Sequence, residues 1–356
     1  MKKMIPLDLN ESYWLLDDET YRKCCAIPKK YFGTYPDYKL LIADIARYVG
    51  VRPDMVTVAP GSDDAIEAIM EWCQERAPRA LLPMPTFSGY ERVLTKVPLQ
   101  VSTTYYRESA GRFLFPLDDV MNTLHARNVD AIFLCSPNNP LGTSLERHEM
   151  DAILTAARES KTLVVVDEAY AEFSGESVID RVMGQKLIVL RTLSKAFGAP
   201  GIRVGYSISS PDIARELAEL ILGVLPWPIP GPSVHMARTV LARADALKVR
   251  RDLVSKQRAI FFDGLSKIDG IAVYPSVGNF VLIRLAHATD VANAMLAKGI
   301  RAGVGEMKTW DHRSKEILTS TLRLTVPSPE DTPRVLLGLQ DAISGQKASS
   351  MVEWTA

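Results

Sequence analysis

One stretch of the sequence decides the fold: LRTLSKAFGAPGIRVGY, residues 190–206. It opens with apolar residues and then places Lys195 beside two hydroxyl side chains, those of Thr192 and Ser194. Small residues follow, then Arg203, and then a second apolar segment. The apolar runs on both sides predict two buried strands, and the polar cluster between them predicts a site where those strands meet.

The composition is that of an ordinary globular protein. The chain has 356 residues, of which 47% are hydrophobic and 24% are charged, so there is room for a large core and two domains. Lysine plus arginine and aspartate plus glutamate number 42 each, and this balance argues against a nucleic-acid or membrane-surface role. No apolar run is long enough to span a membrane, and residues 1–14 do not resemble a signal peptide.

The cysteines and histidines predict no metal site. Cys24, Cys25, Cys73 and Cys135 lack the spacing of metal ligands, and the histidines are scattered singly. The adjacent Cys24 and Cys25 are poorly placed to pair with each other. Reduced thiols are typical of the cytosol, so we expect a cytoplasmic protein.

Short apolar runs alternate with helical patterns between about residues 50 and 245. This alternation predicts an α/β fold, with a three-layer α/β/α large domain built around a mostly parallel, seven-stranded sheet. The predicted strands are 55–59, 79–82, 99–104, 131–135, 163–166, 186–190 and 204–208.

A smaller α+β domain is expected after residue 245, because a long helical pattern at 246–265 is followed by new strand patterns. The proline-rich segment 226–232 predicts a constrained loop, and Ser328 followed by Pro329 predicts the start of the last helix. We expect an N-terminal arm associated with the small domain, a large cofactor-binding domain and a small C-terminal domain, at residues 1–37, 38–245 and 246–356.

Open α/β sheets bind ligands beyond the carboxyl ends of their strands, so polar residues that follow the apolar runs are site candidates. Ser62 and Asp63 follow the first strand and begin a helical pattern, which suits either a phosphate or an ordinary helix cap. Phe87 follows the second strand and could stack on a flat ring or belong to the core. Asn139 lies in a turn rich in proline and asparagine and could donate to an anionic oxygen.

The acid after a run of valines, Asp167, is costly to bury unless it pairs with a cation or a strong donor; a turn cap is the alternative. Tyr170 comes three residues later and could share its face. Lys195 either faces solvent or is desolvated so that its amine becomes a nucleophile.

Together these side chains fit a single ligand that has a phosphate, a protonated ring nitrogen, a ring oxygen and an aldehyde. Pyridoxal 5′-phosphate has all four. In this interpretation Lys195 carries the aldehyde as a Schiff base, while Thr192, Ser194 and Arg203 hold the phosphate.

The order of the motifs resembles that of fold-type I pyridoxal-phosphate enzymes of the aspartate aminotransferase superfamily (class I and II), and most of all the histidinol-phosphate aminotransferases. Each motif alone is weak, but their joint order is specific. The motifs lie at 7–11, 34–37, 61–64, 85–87, 136–142, 167–170, 194–206 and 322–326.

The resemblance implies roles around the cofactor ring. Lys195 resembles the lysine that forms the internal aldimine and shuttles protons. Asp167 resembles the partner of the pyridinium nitrogen. Asn139 and Tyr170 resemble the donors to the phenolic oxygen, and Phe87 resembles the stacking aromatic.

The resemblance also implies a phosphate site, a dimer and an anion site for the substrate. Tyr35 resembles the tyrosine that reaches the neighbouring subunit's cofactor phosphate, which implies a homodimer with shared sites. Arg323 resembles the arginine that binds the substrate's carboxylate or phosphate, and Asn10 and Tyr13 belong to an N-terminal motif expected at the substrate. The residues that fall where the phosphate is held are Ser62, Asp63, Thr192, Ser194 and Arg203.

The chain departs from the family pattern at positions that concern substrate recognition. Tyr13 is displaced by one position, and Leu141 stands where the family's Asn-Pro-Thr-Gly motif has threonine. The second arginine that is usual after Gly-Ile is out of register, because Arg301 follows Ile300 directly and a longer segment, 306–319, comes next. These departures predict a substrate shaped differently from histidinol phosphate.

We therefore expect an aminotransferase that moves an amino group between an anionic amino acid or amino-phosphate compound and a 2-oxo acid. A decarboxylase of the same fold, like the threonine-phosphate decarboxylases, stays open because sequence does not fix which bond at the substrate Cα is aligned with the ring. A third possibility, a non-catalytic pyridoxal-phosphate-binding regulator, would need a DNA-binding module; none is visible in the sequence, and the neutral charge argues against it.

Overall fold

The computed structural model describes residues 4–224 and 226–353. Its strands are β1 (Ile5–Leu7), β2 (Val56–Ala59), β3 (Arg79–Met84), β4 (Gln100–Tyr105), β5 (Arg107–Ser109), β6 (Arg112–Leu114), β7 (Ala131–Cys135), β8 (Leu163–Asp167), β9 (Leu187–Thr192), β10 (Gly205–Ile208), β11 (Ile271–Val273), β12 (Phe280–Leu285), β13 (Ile300–Val304) and β14 (Thr321–Thr325).

The helices alternate with these strands over most of the chain. No helix within the described residues is both long and apolar enough to cross a lipid bilayer. The helices are α1 (Asp18–Cys25), α2 (Lys30–Gly33), α3 (Lys39–Val49), α4 (Ser62–Arg76), α5 (Ser88–Leu94), α6 (Leu117–His125), α7 (Arg147–Ser160), α8 (Ala171–Ser174), α9 (Pro211–Val224), α10 (Gly231–Leu241), α11 (Ala246–Ser266), α12 (Ala288–Ala297), α13 (His312–Ile317) and α14 (Thr332–Glu353).

The large sheet has seven strands in the order β2-β10-β9-β8-β7-β3-β4. All neighbours are parallel except β10, which runs antiparallel to both β2 and β9. Every residue of β7, β8 and β9 is buried, which explains their unbroken apolar runs, since a central parallel strand has both faces covered. The predicted α/β class and the mostly parallel seven-stranded sheet are confirmed.

The second sheet has five strands in the order β1-β13-β14-β12-β11. Its N-terminal strand β1 pairs in parallel with β13, with Ile5 opposite Ile300. The sheet has its own hydrophobic core, in which Leu7 packs with residues of α11 and β14 such as Phe261 and Leu322. Residues 5–7 and the strands between residues 271 and 325 therefore share one layer.

Two predicted boundaries are wrong by a few residues. Helix α10 begins at Gly231, inside the predicted proline-rich loop, because Pro232 occupies the first turn, where a missing N–H costs no hydrogen bond. The last helix begins at Thr332 and not directly after Ser328. Ser328 Oγ accepts a hydrogen bond from the Asp331 N–H at 3.1 Å, so a closed turn precedes the helix.

Candidate active site

A cavity of about 430 Å³ lies at the carboxyl ends of the central strands of the large sheet. Asp167 at the end of β8 and Thr192 at the end of β9 line it from that sheet, and Arg323 on β14 lines it from the small sheet. This is the position at which open α/β sheets bind ligands. The predicted site residues that line the cavity are Asn10, Ser62, Asp63, Phe87, Asn139, Asp167, Tyr170, Thr192, Ser194, Lys195, Arg203 and Arg323.

Two predicted site residues do not line the cavity. The Tyr13 side chain is half exposed, and its hydroxyl donates to Asp331 Oδ2 at 3.0 Å. Tyr35 is 75% exposed, and its ring stacks on that of Trp227 with centroids 4.1 Å apart. Arg301 is also held elsewhere, by an ion pair with Asp8 at 2.9 Å.

Asp167 is a buried carboxylate at the end of an apolar strand. Its Oδ1 accepts a hydrogen bond from the Ala169 N–H at 3.0 Å, and its Oδ2 accepts one from the Tyr90 hydroxyl at 3.3 Å. Burial raises the pKa of Asp167 to about 6, although these two hydrogen bonds act to lower it. None of the ion pairs within the described residues involves Asp167, so this carboxylate can accept a cationic partner in the cavity.

Lys195 lies in the loop after β9, with its amine turned toward the N-terminal segment. Its Nζ donates to the carbonyl oxygens of Leu9 at 2.9 Å and Asn10 at 3.4 Å. Burial, and then the positive charge of Arg323, lower the pKa of Lys195 to about 8. A substantial fraction of this amine is therefore neutral near physiological pH, which is the form that attacks a carbonyl carbon.

The start of α4 forms a close-packed cup with Arg203 and β10. Helix α4 begins at Ser62, after Gly61 with φ of +103°. A Cβ atom on Gly61 would lie 2.4 Å from Arg203 Nη2, and one on Gly205 would lie 2.4 Å from the Gly61 carbonyl carbon. Glycine at both positions lets the helix N-terminus and the guanidinium approach one space, an arrangement that suits a phosphate.

Two hydroxyls and one carboxylate complete this cup. Thr192 Oγ1 donates to Ser194 Oγ at 3.0 Å and accepts from the Ser194 N–H at 3.1 Å. The carboxylate of Asp63 would repel an anion, but Arg203 Nη2 lies 3.6 Å from it and offsets its charge. The backbone N–H groups of the first turn of α4 and the Ser194 hydroxyl remain as donors, since the Thr192 hydroxyl proton is used within the pair.

The polar side chains of Asn10, Tyr170 and Asn139 lie between Lys195 and the small sheet. Asn10 Nδ2 donates to the buried Tyr170 hydroxyl at 2.8 Å, and burial raises the pKa of Tyr170. Asn139 Oδ1 accepts a hydrogen bond from Arg323 Nη1, which leaves Asn139 Nδ2 to donate to an oxygen in the cavity. Phe87, half-buried at the lip, supplies the aromatic face.

Arg323 is a buried cation with an unused donor. It is 6% exposed, and its Nη2 donates to the carbonyl oxygen of Asp8. Its Nε is buried without a hydrogen-bond partner, and burial lowers its pKa. Within residues 4–224 and 226–353 no ion pair includes Arg323, so its guanidinium suits an anionic group of a ligand.

Sequence reasoning missed several residues of the site. Tyr90 does not line the cavity but donates to Asp167; it lies three residues after Phe87, a spacing at which helical residues share a face. Arg92 and Glu11 bring further charges to the lining. Glu11 ends the motif at 7–11 but was given no role, and no sequence pattern pointed to Arg92.

Comparisons with known proteins agree with this architecture. The family model for aminotransferase class I and II matches residues 28–337. A histidinol-phosphate aminotransferase from Thermoanaerobacter pseudethanolicus is 35% identical over 344 residues, which cover 95% of this chain and 92% of that protein.

Two solved structures share the fold. The histidinol-phosphate aminotransferase from Sinorhizobium meliloti, in complex with pyridoxal-5′-phosphate, superposes with a TM-score of 0.82 at 20% identity, covering 97% of this chain and 92% of that one. The L-threonine-O-3-phosphate decarboxylase from Porphyromonas gingivalis superposes with a TM-score of 0.79 at 22% identity, covering 95% of this chain and 99% of that one. The predicted family resemblance and fold type are confirmed: the chain belongs to the class I and II aminotransferase family.

Proposed function

We propose that this protein is a pyridoxal-phosphate-dependent aminotransferase, similar to the histidinol-phosphate aminotransferases, which transfers an amino group between an anionic amino compound and a 2-oxo acid. One observation carries the proposal: a single cavity unites the carboxylate of Asp167, the low-pKa amine of Lys195 and the unused donor of Arg323. Each of these groups is costly to bury alone, and cofactor and substrate together offer a partner for all three.

Bound pyridoxal phosphate supplies an aldehyde and a ring that withdraws electrons when its nitrogen is protonated. Asp167 would keep the ring nitrogen protonated, because its buried carboxylate has no cationic partner of its own among the described residues. Tyr170 and Asn139 would donate to the ring oxygen, and Phe87 would cover one face. This donor set fits the cofactor.

The cup at the start of α4 would hold the phosphate. Backbone N–H groups at Ser62 and Asp63, the hydroxyls of Thr192 and Ser194, and the guanidinium of Arg203 all border the same part of the cavity. A helix N-terminus carries a partial positive charge, so an anion there is favoured without further side chains.

Lys195 would move the protons. Its Nζ has a pKa of about 8, so it can accept a proton from the substrate Cα and give it back within one turnover. The neighbouring Arg323 keeps this pKa low, since a nearby positive charge disfavours a second one. Lys195 is thus both the attachment point and the general base and acid.

Arg323 would bind the anionic end of the substrate, with Asn10 beside it. Arg323 lies opposite Leu282 on β12 and opposite Gly303 on β13, and Gly303 brings no side chain. Arg301, the arginine of the neighbouring strand β13, is engaged by Asp8. The proposed substrate is therefore an amine whose anion is held by one guanidinium, with space beside it.

A panel of amino donors tests the reaction. Holoprotein is mixed with phosphorylated and unphosphorylated amines, among them histidinol phosphate and glutamate. The absorbance of the bound cofactor is followed as it changes to the amine form and returns on addition of a 2-oxo acid. We expect a complete cycle with at least one anionic donor. If no donor converts the bound cofactor to its amine form, the proposal is contradicted.

The same assay tests the decarboxylase alternative. A decarboxylase would release carbon dioxide from the donor without leaving the cofactor in its amine form. The Porphyromonas gingivalis structure is similar at only 22% identity, so it supports the shared fold and not this reaction. If carbon dioxide is released in stoichiometric amount and no 2-oxo product forms, the protein is a decarboxylase and the aminotransferase proposal is wrong.

Substitution of Arg323 tests the substrate class. Arg323→Lys should cost about 1–3 kcal/mol of transition-state binding for a donor that carries the anion, because the planar fork and its charge-assisted hydrogen bonds are lost. A matched donor without the anion should be slowed far less. Arg301→Lys is the control on the same sheet, because Arg301 is engaged outside the cavity. If Arg323→Lys slows the reaction of both donors equally, Arg323 has a structural role and does not bind the anion.

A cytoplasmic homodimer is part of the proposal. Phe32, Tyr35 and Trp227 are large aromatic side chains that are 69%, 75% and 48% exposed in the single chain. Burying such side chains against a second copy would be favourable, and Tyr35 could then approach the partner's site. All four cysteines are free, which is consistent with a reducing compartment.

A further inference from the structure

Glu168, Arg191 and Glu172 form a buried charge network next to the cavity. Arg191 Nε and Nη2 lie 2.8 Å and 2.7 Å from Glu168 Oε2, and Arg191 Nη1 contacts Glu172 Oε1. The side chains of Arg191, Glu168 and Glu172 are 8%, 3% and 5% exposed, respectively. One guanidinium is therefore shared by two carboxylates in a water-poor environment, where the loss of one member is felt strongly by the others.

The network lies directly behind the cofactor site. Glu168 follows Asp167 in sequence and Arg191 precedes Thr192, yet Asp167 and Thr192 line the cavity while Glu168 and Arg191 do not. Successive side chains of a strand point to opposite faces, so the ion pair joins β8 and β9 on the far face, just behind the two cavity residues. The Glu168 N–H also donates to the Leu190 carbonyl oxygen at 2.9 Å, which fixes the strand ends to each other.

Glu168 is held from both sides. Its Oε2 accepts from the Ser177 hydroxyl at 2.8 Å, and its Oε1 accepts from the Val178 N–H at 2.7 Å. Glu172 accepts from the Tyr48 hydroxyl at 3.3 Å, but its Oε2 has no partner. Arg191 is thus the only cation paired with either carboxylate within the described residues.

The charge of this network reaches Asp167. Burial raises the pKa of Asp167 most, and the like charges of Asp63 and then Glu168 raise it further. The hydrogen bond from Tyr90 lowers the pKa of Asp167, and the Asp167 charge in turn raises the pKa values of Cys135 and Tyr170. Arg191 pairs with Glu168, so it offsets the negative charge behind Asp167 without lining the cavity.

We propose that Arg191 is a positioning residue for Asp167: by neutralising Glu168 and Glu172 and fixing the ends of β8 and β9, it keeps Asp167 an ionised carboxylate directed at the cofactor's ring nitrogen. This inference rests on the proposed function, because it concerns the contact between Asp167 and pyridoxal phosphate. It adds a residue that no cavity contact would have identified.

The test compares two ligands that differ in one ring atom. Pyridoxal phosphate and its 1-deaza analogue, in which a CH group replaces the ring nitrogen, share the phosphate, the aldehyde and the ring shape. Their dissociation constants are measured with apoprotein of the wild type, Arg191→Met and Arg191→Lys. The ratio of the two constants reports the contact to the nitrogen, and thermal denaturation reports general stability.

We expect Arg191→Met to lower the preference for pyridoxal phosphate over the analogue by about tenfold or more, the effect of one pKa unit at Asp167. Binding of the analogue should change much less. Arg191→Lys keeps the charge and should restore most of the preference. The control is Arg250→Met, which removes another buried arginine, paired with Asp17 at 3.0 Å and outside the cavity, and should lower stability without changing the ratio.

The outcomes separate the two proposals. Equal weakening of both ligands by Arg191→Met, or no weakening, would overturn the positioning role while the aminotransferase proposal stands. A wild type that binds neither ligand would contradict the proposed function and this inference with it. If Arg191→Met does not fold, the double variant Arg191→Met/Glu172→Gln replaces it. In the single variant both Glu168 and Glu172 lose their cation, whereas in the double variant only Glu168 remains as an uncompensated carboxylate. The ratio of the two dissociation constants is then measured in the same way.

Discussion

At the residue scale, the site depends on three ionisable side chains whose environments shift their pKa values. Sequence predicted Asp167, Lys195 and Arg323, because each follows or interrupts an apolar run at a motif position. It could not predict that Tyr90 donates to Asp167 or that Arg323 donates to Asn139. Those contacts join residues far apart in the chain, and they depend on how α5 and the small sheet pack.

The lowered pKa of Lys195 makes a prediction about pH. The rate constant for capture of pyridoxal phosphate by the apoprotein should rise with pH, with its midpoint at about 8 and a plateau at higher pH, because only the neutral amine attacks. Arg323→Gln removes a nearby positive charge, so it should raise this pKa and move the midpoint to higher pH. Stopped-flow absorbance over a pH series measures both midpoints.

The control for this series is Arg301→Gln, which removes an arginine of the same sheet that is held by Asp8. Its midpoint should equal that of the wild type. An unchanged midpoint in Arg323→Gln would show that Arg323 does not act on the amine of Lys195.

At the element scale, sequence predicted strand positions better than helix starts. The central strands β7 and β8 appear as unbroken apolar runs because both of their faces are buried, whereas the edge strand β4 is polar and largely exposed. Helix starts depend on local hydrogen bonds that several sequences can make. Ser328 forms a closed turn with Asp331 where a helix was predicted to begin, and the helix starts at Thr332.

The cup at the start of α4 makes a prediction about glycine. In Gly205→Ala the new Cβ would lie 2.4 Å from the Gly61 carbonyl carbon and from the Ser62 nitrogen, so the helix start must move away from β10. We expect affinity for pyridoxal phosphate to fall by about tenfold or more, which corresponds to roughly 1.4 kcal/mol. Titration of the apoprotein measures it.

Gly201→Ala is the matched control, because a Cβ at Gly201 meets nothing within 4 Å. It should bind the cofactor as the wild type does. Unchanged affinity in Gly205→Ala, with unchanged stability, would show that the close approach of β10 to α4 is not needed to hold the phosphate.

At the scale of the whole molecule, the site forms where the two sheets meet. Arg323 reaches Asn139 across this boundary, and the segment 306–319 is held to the large domain by hydrogen bonds from Thr309 and Trp310 to the buried Glu91. Sequence predicted both the second sheet and the longer segment. It could not predict the Glu91 contact, since nothing in the local pattern links residues more than 200 positions apart.

The shared-site prediction belongs to this scale. Lys195→Ala and Tyr35→Phe should each lower activity strongly as homodimers. A hybrid of the two has one site with an intact Lys195 and the intact Tyr35 of the other chain, so mixing them with subunit exchange should recover part of the activity. A dimer that exchanges subunits without any recovery would contradict a shared site.

The most direct measurement of the central claim locates the cofactor on the chain. Apoprotein is loaded with pyridoxal phosphate, reduced with borohydride, digested and analysed by mass spectrometry. We predict one phosphopyridoxyl group per chain, on Lys195, and its disappearance from that peptide in Lys195→Ala. A reduced adduct spread over surface lysines, or one that persists unchanged in Lys195→Ala, would contradict the assignment of Lys195 and the aminotransferase built on it.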